Sequence, residues 1–229
     1  MNIAVIPARG GSKRIPNKNI KEFCGKPIIY WPINVAKSSG LFDKIIVSTD
    51  SKEIAKISND CGAETPFIRP KNISDDFSTT GEVMEHAASW LIKNDLSADY
   101  LCCIYPTSVF LDQTYLKKGF EKIKEGKWLY SFSVSEFKSS VYRSFIKSKN
   151  GGIKMLFQSH YNTRTQDLSK VYYDVAQFYW SKLSTWKECK KVFDEYSFPI
   201  IIPSHRVLDI DTIEEFEKAE ILFKSLNCN

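Results

Sequence analysis

Four cations crowd one short stretch of this 229-residue chain: Arg9, Lys13, Arg14 and Lys18. They follow an apolar run, Ile3–Ile6, that stops at Pro7, and Gly10 and Gly11 lie between the first two. Paired glycines permit positive φ and let backbone N–H groups turn toward one point. Concavities of N–H groups, ringed by cations, bind phosphate. The stretch from Ala8 to Ser12, with Gly10 and Gly11 inside it, therefore suits a highly charged anion such as a nucleoside triphosphate. It is neither the G-x-x-x-x-G-K-[ST] loop nor the G-x-G-x-x-G fingerprint.

A second group is Asp209-Ile210-Asp211. Residues two apart on an extended segment face the same way. Two carboxylates on one face form a hard oxygen pair suited to Mg²⁺, which takes one or two carboxylates plus phosphates and waters. Helix capping needs only one of them, so the pair favours metal. A third group can read a nucleotide. Asn19 offers an amide donor and acceptor to a pyrimidine edge, Arg69 follows a short strand and can reach ribose or base, and Ser78 stands at a helix start. A hydroxyl there serves either as an N-cap or as a phosphate or ribose contact.

The first group, IPARGGSKRIPNKN over Ile6–Asn19, resembles the signature of the sialic-acid-type cytidylyltransferases, the CMP-sugar synthetases. LDIDTIEEFEKAE matches that family's metal element ahead of a C-terminal helix. The resemblance covers nearly the whole chain and is weakest from Ser135 to Gln158. It implies CTP as the nucleotide, with Asn19 and Arg69 near the cytidine, and Mg²⁺ as the cofactor on Asp209 and Asp211. It also implies a nine-carbon α-keto acid sugar as acceptor. The anomeric hydroxyl would attack the α-phosphorus in line, with pyrophosphate leaving. Positioning and charge neutralisation dominate such transfers. Arg9 and Lys13 would hold the triphosphate and the departing pyrophosphate, and Lys18 would add charge near the α-phosphate or the sugar.

On the acceptor side the chain departs from the sialic pattern twice. Tyr105 precedes Pro106-Thr107-Ser108 where Gln is usual, and YDVAQFYW over Tyr173–Trp180 replaces an N-G-A-x-Y segment. The latter looks like the D-A-G-Q-F-Y-W element of pseudaminic acid cytidylyltransferases. Both departures point to pseudaminic acid, which carries a second acetamido group and a terminal methyl in place of sialic acid's hydroxylated tail. Tyr105, Thr107, Asp174, Gln177 and Phe178 are the expected sugar contacts, with Arg164 pairing the sugar carboxylate. Phe178 also suits strand core. Alternatives are CMP-N-acetylneuraminic or CMP-legionaminic acid synthesis and, from another class, a non-catalytic nucleotide-binding protein on the same fold.

Composition sets bounds. The length fits one domain over 1–229. The net charge of +5 is mild, and the cations gather in one glycine loop instead of spreading along a face, which argues against nucleic acid. Six cysteines form no C-x-x-C and only three histidines are present, so a zinc site is not expected. Scattered cysteines favour a reducing compartment. No apolar run reaches the roughly 18 residues of a membrane span, and the N-terminus does not read as a signal peptide. A cytoplasmic protein is expected, with no membrane partner.

The elements that must hold these groups alternate. Strands are expected at Ile3–Ile6, Lys44–Ser48, Thr65–Ile68, Tyr100–Ile104, Trp128–Val134, Val175–Trp180 and Phe198–Ile202. Helices are expected from Pro27 to Ser39, at Ser51–Asn59, from Ser78 to about Asn94, at Gln113–Lys124 and at Thr212–Leu226. This is the rhythm of an α/β fold: a Rossmann-like open, mostly parallel twisted sheet with helices on both faces. Ligands bind such sheets beyond the carboxyl ends of the strands. Between about 135 and 173 the rhythm breaks, and Asn150-Gly151-Gly152 marks a hairpin. A protruding excursion is expected. The residues leave it open between a surface hairpin and a pairing element, and the resemblance implies a homodimer.

Overall fold

Apolar runs of four or five residues, too short for helices, become the central strands, and the longer amphipathic stretches become the helices that cover them. The structure, a computed structural model, describes residues 1–227. The first half holds β1 (Asn2–Pro7), β2 (Glu22–Phe23), β3 (Lys26–Pro27), α1 (Tyr30–Ser38), β4 (Lys44–Ser48), α2 (Lys52–Asp60), α3 (Thr80–Lys93) and β5 (Tyr100–Ile104). The second holds α4 (Gln113–Lys124), β6 (Tyr130–Glu136), β7 (Phe145–Lys147), β8 (Ile153–Met155), β9 (Tyr172–Lys182), α5 (Leu183–Lys187), β10 (Ser197–Ile201) and α6 (Ile213–Asn227).

Six strands form one sheet in the order β10-β6-β9-β5-β1-β4. The pairs β1–β4, β1–β5 and β10–β6 are parallel, and β9 runs antiparallel to both β5 and β6. The sheet is therefore mostly parallel, as expected, with one reversed strand inside it. Alternation sends successive side chains to opposite faces. Ala4, Ile6, Cys102, Ile104 and Trp180 pack on the side of α1 and α4. Ile3, Val5, Leu101, Cys103 and Tyr179 pack on the side of α3 and α5. Cys102 and Cys103 are fully buried strand core; Cys228 lies outside the described residues.

A third apolar cluster decides where the chemistry sits. It joins Ile15 of the cation loop, Val109 and Phe110 after β5, Ile210 between the two aspartates, and Phe216 and Ala219 of α6. Residues nearly two hundred positions apart in sequence are packed into one block at the carboxyl ends of the strands.

Three local expectations shift. Pro27 belongs to β3, and α1 begins at Tyr30. Pro32 is then the third helical residue, where a missing N–H has no intrahelical acceptor to lose. Thr65–Ile68 reduces to one isolated parallel bridge, Thr49 with Ile68, with a second just before it, Ile46 with Glu64, because Pro66 cannot donate to a ladder. Thr79, not Ser78, caps α3, in a capping box with Glu82. Thr212 and Glu215 form a second capping box, with Glu215 N–H donating to Thr212 Oγ1 at 3.2 Å and Thr212 N–H to Glu215 Oε2 at 2.9 Å.

The excursion spans 137–171, because β6 and β9 run further than their apolar cores. Strands β7 and β8 pair across a turn with Gly151 at φ +89°. Phe145, Ile153 and Tyr161 on it are solvent-exposed.

Candidate active site

The cation loop is held at both ends by hydrogen bonds. Ala8 N–H donates to Ser48 O at 2.9 Å. Gly10 N–H donates to Asp50 Oδ1 at 2.9 Å. Buried Asn19 donates its amide to Arg9 O at 2.9 Å, tying the end of the loop to its start. Neither Gly10 nor Gly11 adopts positive φ, which corrects the reason expected for the glycine pair. Gly10 is required by closeness: an added Cβ would sit 3.1 Å from Ser51 Cβ at the start of α2. Its N–H is already spent on Asp50. Gly11 is exposed, with nothing within 4 Å of an added Cβ.

Above this loop opens a cavity of about 220 Å³. Arg9, Lys13 and Lys18 line it, as do Ser12, Asn19, Arg69 and Ser78. Ala8, Gly10 and Gly11 support the loop from outside its wall. Arg9 and Lys13 converge on Asp76, at 2.6 Å and 2.5 Å. The Lys13 ammonium, then the Arg9 guanidinium, hold the Asp76 carboxyl below its usual range. Arg69 is almost fully buried and donates to Ser74 Oγ at 3.2 Å. Burial lowers its pKa, against the pull of Asp50. Ser78 Oγ donates to Asp75 Oδ1 at 2.7 Å.

A second cavity, about 270 Å³, adjoins the first, and Arg14, Lys18, Tyr105 and Thr107 line both. Its far wall comes from an irregularity in β9. Phe132 pairs with Tyr179, but Val134 pairs with Asp174, so on the β6 side residues 175–178 have only Ser133 opposite them. Ala176 turns there at φ +49°. Ser133 Oγ accepts from the N–H groups of Gln177 at 3.0 Å and Phe178 at 3.2 Å, replacing the lost ladder bonds. Ser108 Oγ donates to Gln177 O at 3.3 Å. The bulge turns Val175, Ala176 and Gln177 into the cavity. Gln177 is held by its amide N–H donating to Arg206 O at 2.8 Å.

Three expected sugar contacts are not brought there. Phe178 is fully buried among core residues under α4, its ring 2.7 Å from where a Gly119 Cβ would stand. After the bulge the alternation resets, and Phe178 points away from the cleft. Asp174, before the bulge, accepts from Ala176 N–H at 2.9 Å and from the Tyr179 hydroxyl at 2.6 Å. It borders a different cavity under the excursion. Arg164 is exposed on the excursion and pairs with Asp167 at 2.6 Å; it lines neither half of the cleft.

Asp209 and Asp211 both line the second cavity, while Ile210 between them is buried against α6. The alternation expected of the pair is observed. Asp211 meets Arg14 at 2.7 Å and Lys18 at 3.3 Å, and Lys18 also donates to Ile210 O at 2.7 Å. Asp209 keeps solvent on its outer side, yet desolvation by the cavity wall, then the charge of Asp211, raises its pKa. A carboxyl pair that disfavours its own double ionisation suits a hard cation. Among the described residues no group of three or more His, Cys, Asp or Glu is placed to hold a metal. The pair fits an ion that draws its remaining ligands from phosphate and water.

Three cleft residues escaped assignment from sequence. Arg14 was visible as a loop cation, but its reach to Asp211 depends on the third cluster. Asp76 was visible in the segment before α3, but not its pairing with Arg9 and Lys13. Thr80 carried no signal beyond its position near a helix start.

The cytidylyltransferase family signature matches residues 3–223. The chain is 39% identical over 223 residues to the pseudaminic acid cytidylyltransferase of Campylobacter jejuni subsp. jejuni, covering 97% of this chain and 96% of that protein. It is 31% identical to the CMP-N,N'-diacetyllegionaminic acid synthase of Legionella pneumophila, covering 97% and 96%. Among solved structures, a CMP:2-keto-3-deoxy-manno-octonic acid synthetase complexed with CTP shares the fold at a TM-score of 0.73 and 13% identity, covering 98% of this chain and 99% of that one. A 4-diphosphocytidyl-2C-methyl-D-erythritol synthase from Anaerococcus prevotii shares it at 0.65, covering 97% and 98%. A cation loop over the sheet's carboxyl edge, facing paired aspartates across a two-part cleft, together with these matches, places the chain in the cytidylyltransferase family.

Proposed function

We propose that this chain transfers CMP from CTP to the anomeric hydroxyl of a nine-carbon α-keto acid sugar, pseudaminic acid, and releases pyrophosphate. One observation carries the reading: two adjoining cavities share a wall of Arg14, Lys18, Tyr105 and Thr107, in a chain 39% identical to a pseudaminic acid cytidylyltransferase. The first cavity takes CTP and the second takes the sugar. The shared wall is where the α-phosphate and the anomeric hydroxyl meet.

Arg9 and Lys13 exchange Asp76 for the β- and γ-phosphates and then hold the leaving pyrophosphate. Their charge matches the charge that develops as the bond breaks. Lys18, on the shared wall, adds positive charge near the α-phosphate. Asn19 keeps the Arg9 carbonyl fixed, so the loop does not rearrange as the nucleotide enters. Arg69, buried beside Asp50, faces the nucleoside end. Thr107 and Gln177 offer polar contacts to the sugar, and Tyr105 offers a ring face to its methyl or acetamido carbon.

Asp209 and Asp211 would hold Mg²⁺, which when bound supplies charge neutralisation at the α-phosphate. Arg14 and Lys18 orient Asp211 meanwhile, and no side chain is assigned as general base. We read the chain as one domain whose excursion pairs two subunits, because its exposed Phe145, Ile153 and Tyr161 invite burial. Arg164 on it would reach the sugar carboxylate only across such a pairing. No helix among the described residues is long and apolar enough to cross a membrane. Cys24, Cys61, Cys102, Cys103 and Cys189 are free thiols, which suits a cytoplasmic setting.

Pyrophosphate release from CTP, measured with pseudaminic, N-acetylneuraminic and legionaminic acids in competition, tests the reading. Pseudaminic acid is expected to be consumed first. Equal or faster use of N-acetylneuraminic acid removes the sugar assignment and leaves the cytidylyltransferase chemistry standing. No release with any of them would favour a non-catalytic nucleotide binder.

A further inference from the structure

The two halves of the cleft are equipped differently for negative charge. Arg9, Lys13, Arg14, Lys18 and Arg69 line the first cavity. Of these, Arg14 and Lys18 alone line the second, where Asp209 and Asp211 oppose them. An anion entering the second cavity therefore has to lie against one of these two side chains. They are not equally free. Lys18 is 19% exposed, and its ammonium donates to Ile210 O at 2.7 Å and to Asp211 Oδ1 at 3.3 Å. Arg14 is 68% exposed, and among the described residues its guanidinium makes one polar contact, Nη1 to Asp211 Oδ2 at 2.7 Å. Its Nε–Nη2 edge is unspent. That edge presents two parallel N–H groups, the geometry that takes both oxygens of a carboxylate. Arg14 can keep Asp211 on one nitrogen and hold a second carboxylate on the other edge.

The acceptor brings such a carboxylate to this wall. In the ring form of an α-keto acid sugar, one carbon bears both the anomeric hydroxyl and the carboxylate. Where the hydroxyl meets the α-phosphate, the carboxylate arrives beside a phosphate of the same sign. Two neighbouring anions repel unless a cation lies between them. Arg14 lines both cavities, so it stands where that cation is needed.

We propose that Arg14 binds the carboxylate of the acceptor sugar through Nε and Nη2, selects α-keto acid sugars over neutral ones, and turns the anomeric hydroxyl toward the α-phosphate. The proposal rests on the CTP-to-sugar reading above. It puts the carboxylate contact on the same subunit as the cation loop, with no need of Arg164.

Pyrophosphate release by the full chain tests it, with pseudaminic acid and its carboxamide as paired acceptors. The unsubstituted chain is expected to favour the acid in kcat/KM at least about tenfold, the worth of a hydrogen bond to a charged group. Arg14→Gln is expected to remove most of that preference by raising the KM for the acid, while the carboxamide is used much as before. Arg14→Lys keeps the charge but loses the fork, so an intermediate preference is expected. Calorimetric affinity for CTP should change far less than the KM for the acid, and circular dichroism should show both variants folded. Equal loss on acid and carboxamide in Arg14→Gln, with weakened CTP binding, would put Arg14 on the triphosphate and overturn the proposal. So would a preference that survives Arg14→Gln and disappears in Arg164→Gln. If the unsubstituted chain releases no pyrophosphate from CTP with any α-keto acid sugar, the underlying reading fails instead.

Discussion

The cavity proposed for the nucleotide takes all its lining cations but Arg69 from one continuous stretch, Arg9 to Asn19, whereas the cavity proposed for the sugar is assembled from the loop after β5, the bulge of β9 and the segment before α6. The first is rich in cations and depends on short-range ties such as Asn19 to Arg9. The second depends on a backbone irregularity, Ala176 in the left-handed region, that two serine hydroxyls stabilise. A charge-dominated site that must hold a triphosphate tolerates variation elsewhere as long as its loop stays in place. A shape-dominated site is set by where the strand breaks register, so small changes there alter which sugar fits.

The largest expected effect lies on the nucleotide side. Arg9→Ala is expected to lower kcat roughly 10²-fold or more, by analogy with loss of one preorganised donor to a developing anion, worth about 3 kcal/mol. Circular dichroism should show an intact fold. Near-normal kcat in a folded variant would remove Arg9 from the chemistry.

Next comes Asp209→Asn, expected to cost activity at least tenfold (about 1.4 kcal/mol or more), because a neutral amide weakens a hard-cation site. Its stability effect has the opposite sign. The folded-state pKa of Asp209 is raised, first by desolvation and then by Asp211. The wild-type chain therefore loses stability as pH rises through that folded pKa. In chelator, the Asn variant should melt higher than wild type at neutral pH, and the difference should shrink on acidification below the unfolded carboxyl pKa. Thermal melts across pH check this; an Asn variant that melts lower at neutral pH would refute it.

On the sugar side, Tyr105→Gln is expected to narrow the preference for pseudaminic over N-acetylneuraminic acid about tenfold without inverting it. A site's unpaired polar groups reject the wrong partner more strongly than a ring face does. Competition for limiting CTP measures the ratio, and an unchanged ratio would take Tyr105 out of sugar selection.

Smaller still is Asp76→Asn. Exposed ion pairs are worth about 0.2–1 kcal/mol, so freeing Arg9 and Lys13 should lower the KM for CTP at most about fivefold. A raised KM would mean that Asp76 assists the nucleotide instead of competing with it.

The smallest effect tests the bulge. Ala176→Gly relieves a left-handed alanine at about 1–2 kcal/mol and adds unfolded-state entropy worth about 0.4–1 kcal/mol. A net gain near 0.5 kcal/mol in denaturant midpoints is expected, with sugar preference unchanged. A loss of stability would show that Ala176 is not strained.

Sequence alone determined what needs only local information. The strand-and-helix order followed from apolar period. The cation loop and the facing of Asp209 and Asp211 followed from spacing along one short segment. Tertiary structure decided the rest, because it depends on which distant segments share a core. Ile15, Phe110, Ile210 and Phe216 meet in one cluster, and that packing alone brings Arg14 and Lys18 onto Asp211. The reason for Gly10 lies in the neighbouring Ser51, not in its own torsions. Period-two reasoning could not see the bulge at Ala176, since several residues there face a single partner and the alternation restarts. That restart sent Phe178 into the core, left Asp174 on the far side holding Tyr179, and kept Gln177 in the cleft.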